Sequence, residues 1–409
     1  MTSGLRFDHA VLPNGLTVIG EHNPRAVTTA VGYMVRAGAR DETPDVSGVS
    51  HFLEHMCFKG NERYSADDIN RVFDELGADY NAYTSEERTV YYGAVTADKG
   101  GRLLELLTEL LEPSLRQDDF EMEKKVILEE IAMYQDRPAQ RLFESANQRY
   151  WNGHPLGNSV LGSVESITAL TRDAMQVYFD RRYAPSNVLL VLAGNYDWDA
   201  MLAQAERRTA SWRDYQVVRE RPAARPARGY EELVDPKLTR QHVALYAPGV
   251  PVESPQRFVP VVLANAIGDS SGSRLYWELV DKGLSDNAWL AHESGEGEGA
   301  FVGYLSVAPA KAEEVLERYQ QVLARAQDEG LTPEEWRRAQ RKIATGLTFR
   351  AETPLGRLMS FGTAYQTLGV YESVADVVAA VLSTPLEAGL ELLRRRPFDD
   401  AYVLALGPG

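Results

Sequence analysis

Five consecutive residues, His51-Phe52-Leu53-Glu54-His55, hold the densest potential chemistry in the sequence. On a helix, positions i, i+3 and i+4 lie within one turn on the same face, so His51, Glu54 and His55 would project together. Two neutral imidazoles are good Zn²⁺ ligands. They leave room for a third protein ligand and a water, and an unliganded carboxylate beside them can take that water's proton. The surroundings predict a helix: Val49, Phe52, Leu53, Met56 and Phe58 give an apolar stripe, Ser47 or Ser50 is placed to serve at its start, and Gly60 to stop it. With only seven histidines in the chain, a chance meeting of two of them around a Glu is the weaker explanation.

A zinc site needs a further ligand, and the segment DFEMEKKVILEEIAMYQ, residues 119–135, offers acids where a core-facing helix should be apolar. Taking Phe120 as reference, Ile127, Ile131 and Tyr134 fall within about 40° of it at 100° per residue, which defines the buried stripe. Glu123 and Glu130 border that stripe, whereas Glu129 points away with Lys125. A carboxylate at the edge of a core must be paired or must bind a cation, because an unpaired buried charge is very costly. Periodicity therefore selects Glu123 and Glu130 over Glu129, and does not separate the two. Cys57, two residues past His55, reads as a buried structural thiol.

These side chains need a scaffold. A chain of 409 residues is too long for one ordinary core, so two domains are expected. The segment 212–236, with its prolines and clustered Arg and Ala, reads as containing the connection. This predicts a first domain at 1–215, a linker at 216–236 and a second domain at 237–409. GLTVIGE, TTAVGYMVRAG, RTVYYGAV and NVLLVLAG read as strands, and helices are predicted at 66–76, 99–113 and 118–135. The types mix without regular alternation, which predicts an α+β fold. The second half repeats the first: residues 299–323 match 87–111 in strand-then-helix order, and Trp336 opens a helix as Phe120 does. Matching these aromatics puts Ala339 opposite Glu123 and Gly346 opposite Glu130, so the second copy is expected to be metal-free.

A net charge of −16 disfavours nucleic acid and anionic membrane surfaces as partners. No apolar run is long enough to span a bilayer. The start, MTSGLRFDHAVLPNG, shows no export or organelle pattern, so a cytoplasmic protein is expected.

HFLEHMCFKG, GADYNAYTSEERTVYY at 77–92, FEMEKKVILEEIAMYQDRP at 120–138, HPLGNSVLGS and RRYAPSNVLLVLAGNYD together resemble the inverzincin metallopeptidases of the pitrilysin and mitochondrial processing peptidase type. The resemblance implies that His51, His55 and Glu130 bind zinc, that Glu54 is the general base and that Glu123 is a second acid supporting the site. It implies two similar domains, each a mainly antiparallel sheet with helices packed on it. It also implies that the strand carrying Asn81, Ala82 and Tyr83 pairs with an extended peptide substrate. One segment departs from the family. Self-sufficient members carry a stretch like LREKRGLAY, whose Arg and Tyr contact the substrate. Here LVDKGLSD, 279–286, places Val280 at the Arg and, after a one-residue deletion, Asp286 at the Tyr. The expectation is a zinc endopeptidase subunit paired with a homologous chain that supplies the Arg and Tyr, with a homodimer as the alternative. The competing class is a binding or assembly subunit with a structural or vestigial metal site.

Overall fold

The computed structural model describes residues 4–409. Strands β1 (Arg6–Val11), β2 (Thr17–His22), β3 (Thr28–Val35), β4 (Asp79–Thr84), β5 (Thr89–Thr96) and β6 (Val188–Gly194) form one sheet in the order β1-β2-β6-β3-β5-β4. Only β2 and β6 run parallel within it. A second sheet has the order β7-β11-β8-β10-β9, from β7 (Gly229–Val234), β8 (Gln241–Pro248), β9 (Asn287–Ser294), β10 (Gly299–Val307) and β11 (Tyr402–Gly407). Its one parallel pair is β7 with β11. Without β1 the two sheets have the same strand order and the same parallel pair, so the sequence repeat is a repeat of topology.

The helices α1 (Val49–Cys57), α2 (Ala66–Leu76), α3 (Gly100–Leu110), α4 (Gln117–Gln135) and α5 (Pro138–Trp151) follow in chain order. The first four coincide with the predicted helices to within a few residues. In the second half, β10 leads into the helix Ala312–Glu329, and Trp336 lies in the first turn of the helix Pro333–Arg350, as Phe120 lies in that of α4.

Strands β6, β10 and β11 are buried along their whole length, so each sheet needs a layer on both faces. In the first compact unit, the Tyr33 hydroxyl of β3 bonds Thr108 of α3 at 2.8 Å on one face. The other face packs Ile19, Ala30, Met34 and Val191 against Leu358 and Phe361 of the helix Pro354–Leu368. Each of those two fully buried side chains contributes roughly 1.5–3 kcal/mol. Gly362 permits the close approach, since a Cβ there would lie 2.7 Å from the Met34 methyl. Arg357 locks the same helix to β2: its Nε donates to Glu21 Oε1 at 2.8 Å, and the Tyr371 hydroxyl donates to Glu21 Oε2 at 2.6 Å. In the second unit, Leu142, Ala146 and Tyr150 of α5 cover Tyr246, Val302 and Leu404. Leu245, Phe301 and Leu305 face the opposite way, into that unit's other helices.

The units therefore interleave along the chain. One comprises the residues up to Ala132, Asn158–Glu220 and Arg350–Glu372; the other comprises Met133–Gly157, Arg221–Phe349 and Ser373–Gly409. The contiguous division at 1–215, 216–236 and 237–409 misses this exchange of segments, and β7 lies within the span read as linker. Among the described residues, no helix is long and apolar enough to cross a membrane.

Candidate metal centre

The site is built on α1 and α4. Phe52 of α1 stacks on Phe120 of α4, with ring centroids 4.7 Å apart and planes 13° from parallel, which turns the acidic edge of α4 toward the histidines. His51 Nε2 lies 3.7 Å from Glu130 Oε2, and His55 Nε2 lies 3.8 Å from the same oxygen. These distances are too long for hydrogen bonds. Two ligands of one tetrahedral zinc, each about 2.0–2.1 Å from the metal, would stand about 3.4 Å apart. All three ligand atoms lie within 4.8 Å of one another, and the donor set of two imidazoles and a carboxylate suits zinc. Glu129 is exposed on the far side of α4, as the stripe predicts.

Burial and the neighbouring His55 push the His51 imidazolium down to about 3, so this ring is neutral and its nitrogen lone pair is available. Among the described residues, its buried Nδ1 has no hydrogen-bond partner. His55 is held differently. Its Nδ1 lies 2.8 Å from Glu123 Oε1, and the Lys59 ammonium pairs with the other Glu123 oxygen. Burial opposes the His55 cation most strongly, but Glu123 together with the nearby Glu54 and Glu130 carboxylates outweighs it and raises the imidazole. Burial likewise opposes the Glu123 anion and is outweighed by His55 and Lys59, which lower that carboxyl. A proton on Nδ1, donated to Glu123, leaves Nε2 free to face Glu130.

Glu54, 8% exposed, sits on the same helix face. Burial raises its carboxyl, and the Thr84 hydroxyl, donating to Oε2 at 2.6 Å, opposes that rise. Thr84 ends β4, whose outer side has no strand neighbour in the sheet. Asn81, Ala82 and Tyr83 lie on this edge strand, opposite Tyr92, Tyr91 and Val90 of β5. The edge thus runs up to the residue that touches Glu54. Val280 ends a π-helical turn and packs against the core of its unit, and Asp286 is ion-paired with Arg240.

One expectation for α1 needs correction. Neither Ser47 nor Ser50 caps the helix: the N-cap is Gly48, at φ +89°, and Ser50 Oγ hydrogen-bonds the Tyr178 hydroxyl at 2.6 Å. The helix also stops at Cys57, before Gly60. Thr84, Lys59 and Glu42, whose carboxylate accepts from the Gly48 and Ser50 N–H groups at the start of α1, were not legible in the sequence. Only Lys59, one turn beyond His55, had a local signal.

Fold and site define a class, the two-domain α+β proteins of metallopeptidase type. The family described as Insulinase (Peptidase family M16) matches residues 17–164, and the Peptidase M16 inactive domain matches residues 169–343. An uncharacterized zinc protease of Mycobacterium leprae is 31% identical over 92% of this chain and 86% of its own length. One of Bacillus subtilis is 29% identical over 96% of each chain. Among solved structures, a protease from Helicobacter pylori superposes with a TM-score of 0.91 at 19% identity, covering 99% of this chain and 100% of that one. An M16-like peptidase from Alicyclobacillus acidocaldarius gives 0.88 at 24% identity, with full coverage of both chains. The chain belongs to peptidase family M16.

Proposed function

We propose that this chain is the metal-bearing subunit of a zinc-dependent endopeptidase that cuts peptides or unfolded segments inside a clamp formed with a homologous partner chain. The observation that carries the reading is the convergence of His51, His55 and Glu130 with the unliganded Glu54 on the same helix face. His51, His55 and Glu130 would hold the zinc, which when bound would supply an acidified water and polarise a peptide carbonyl. Glu54, held through one oxygen by Thr84, takes the water's proton and returns it to the leaving amine. Glu123 orients His55 through Nδ1. The edge strand carrying Asn81, Ala82 and Tyr83 aligns the substrate by main-chain pairing.

The partner supplies what positions 280 and 286 lack. Val280 has no side-chain donor, and the Asp286 carboxylate, ion-paired with Arg240, can only accept, so neither can hold a peptide carbonyl by charge-assisted hydrogen bonds. The same two positions favour a second reading, a non-catalytic subunit of this fold. Glu54→Gln separates the two. In the zinc-loaded chain mixed with its homologous partner, peptide hydrolysis should fall by about 10²–10⁴ while zinc content and fold persist. Hydrolysis absent from the wild-type mixture, or unaltered in the variant, would refute the catalytic reading.

A further inference from the structure

The start of α1 is an unusual place to anchor a metal ligand, because this helix has no cap of its own. Gly48 is the N-cap, at φ +89°. A Cβ there would sit 2.6 Å from the Leu161 carbonyl oxygen and 2.7 Å from Ile167 Cδ1, so no capping side chain fits. The first-turn N–H groups must find an acceptor elsewhere. Glu42, six residues upstream and 7% exposed, provides it: Oε2 accepts from Gly48 N–H at 2.6 Å and Oε1 from Ser50 N–H at 2.8 Å. Ser50 immediately precedes His51.

Glu42 is itself held by a fixed segment. Ala39 N–H donates to the Ser85 carbonyl at 3.1 Å and Arg40 N–H to the Glu86 carbonyl at 2.8 Å, fastening residues 39 and 40 to the β4–β5 turn. Asp41 accepts from Arg219 through both oxygens, at 3.0 and 2.6 Å, and from Gly38 N–H at 3.1 Å. We infer that Glu42 is a positioning residue for the metal centre: it replaces the missing N-cap of α1 and so fixes His51 opposite His55 and Glu130 before any metal arrives. Burial pushes its carboxyl up to about 8 against the two N–H donors, and its oxygens can accept in either protonation form.

The inference rests on the zinc reading above, and its test does not need peptidase activity. E42Q puts an amide NH2 against one of the two N–H groups, and E42A removes both acceptors. In each, zinc affinity by chelator competition, the visible spectrum of the Co²⁺-loaded chain, and hydrogen exchange of the metal-free chain are compared with wild type. The expected result is zinc binding weaker by about 10-fold or more, a changed Co²⁺ spectrum, and faster exchange at Gly48 and Ser50 while the β-sheet amides stay protected. If E42A does not fold, E42Q carries the test. Wild-type zinc affinity, spectrum and exchange in folded E42Q would overturn the positioning role alone. A wild-type chain that binds no zinc would overturn the metal reading and this inference with it.

Discussion

Replacing Glu123 should weaken zinc binding without abolishing it, and the size of the loss distinguishes an orienting group from a ligand. Its Oε1 lies 2.8 Å from His55 Nδ1, a charge-assisted contact of a kind worth about 1.5–3 kcal/mol net. That contact selects the tautomer in which Nε2 faces Glu130. In Glu123→Ala the ring loses its acceptor and its preferred orientation, so zinc affinity should fall about 10–100-fold, or roughly 1.4–2.8 kcal/mol. Glu123→Gln keeps an amide oxygen for Nδ1–H and gives up the charge, so its loss should fall near the lower end. The Lys59 ammonium, 27% exposed, is released toward water and adds little in either variant. Competition against a chromogenic chelator measures the constants, with circular dichroism confirming the fold. An unchanged affinity in Glu123→Ala would refute the orienting role, and a loss as complete as that of His55→Ala would make Glu123 a ligand.

Two further predictions concern the scaffold. Arg357→Leu should leave Glu21 buried with only the Tyr371 hydroxyl beside it, lowering stability by about 3–5 kcal/mol in urea unfolding of the metal-free chain; a loss under about 1 kcal/mol would show the pair to be dispensable. In the second unit, burial would raise the Glu335 carboxyl, but bidentate Arg274 and the Thr332 N–H outweigh it and bring it down to about 2. A folded value below the unfolded one contributes stability above about pH 4.5 that is lost as pH falls toward 2. Glu335→Gln should therefore cost about 1–2 kcal/mol at pH 7, allowing for screening, and little at pH 2. A cost that does not change with pH would contradict the assignment.

The sequence was most legible where function depends on spacing within one helix. His51, Glu54 and His55 on α1, and Glu130 against Glu129 on α4, follow from 3.6-residue geometry, and the structure places them as that geometry requires. Groups that meet only through the fold were not legible. Glu42 reaches the start of α1 from a separate turn, and Thr84 reaches Glu54 from the end of an edge strand. The exchange of segments between the units was hidden for a related reason. An amphipathic pattern says that α5 and the helix Pro354–Leu368 must bury a face, but not against which sheet. Strand β7 read as linker because almost every residue in it is exposed, so it lacks the alternation that marks a half-buried strand.

Metal analysis of three purified chains tests the central claim most directly. The account predicts about one zinc per wild-type chain and per Glu129→Gln chain, and a large loss of zinc from Glu130→Gln with the fold retained. Zinc retained in Glu130→Gln and lost from Glu129→Gln would contradict it.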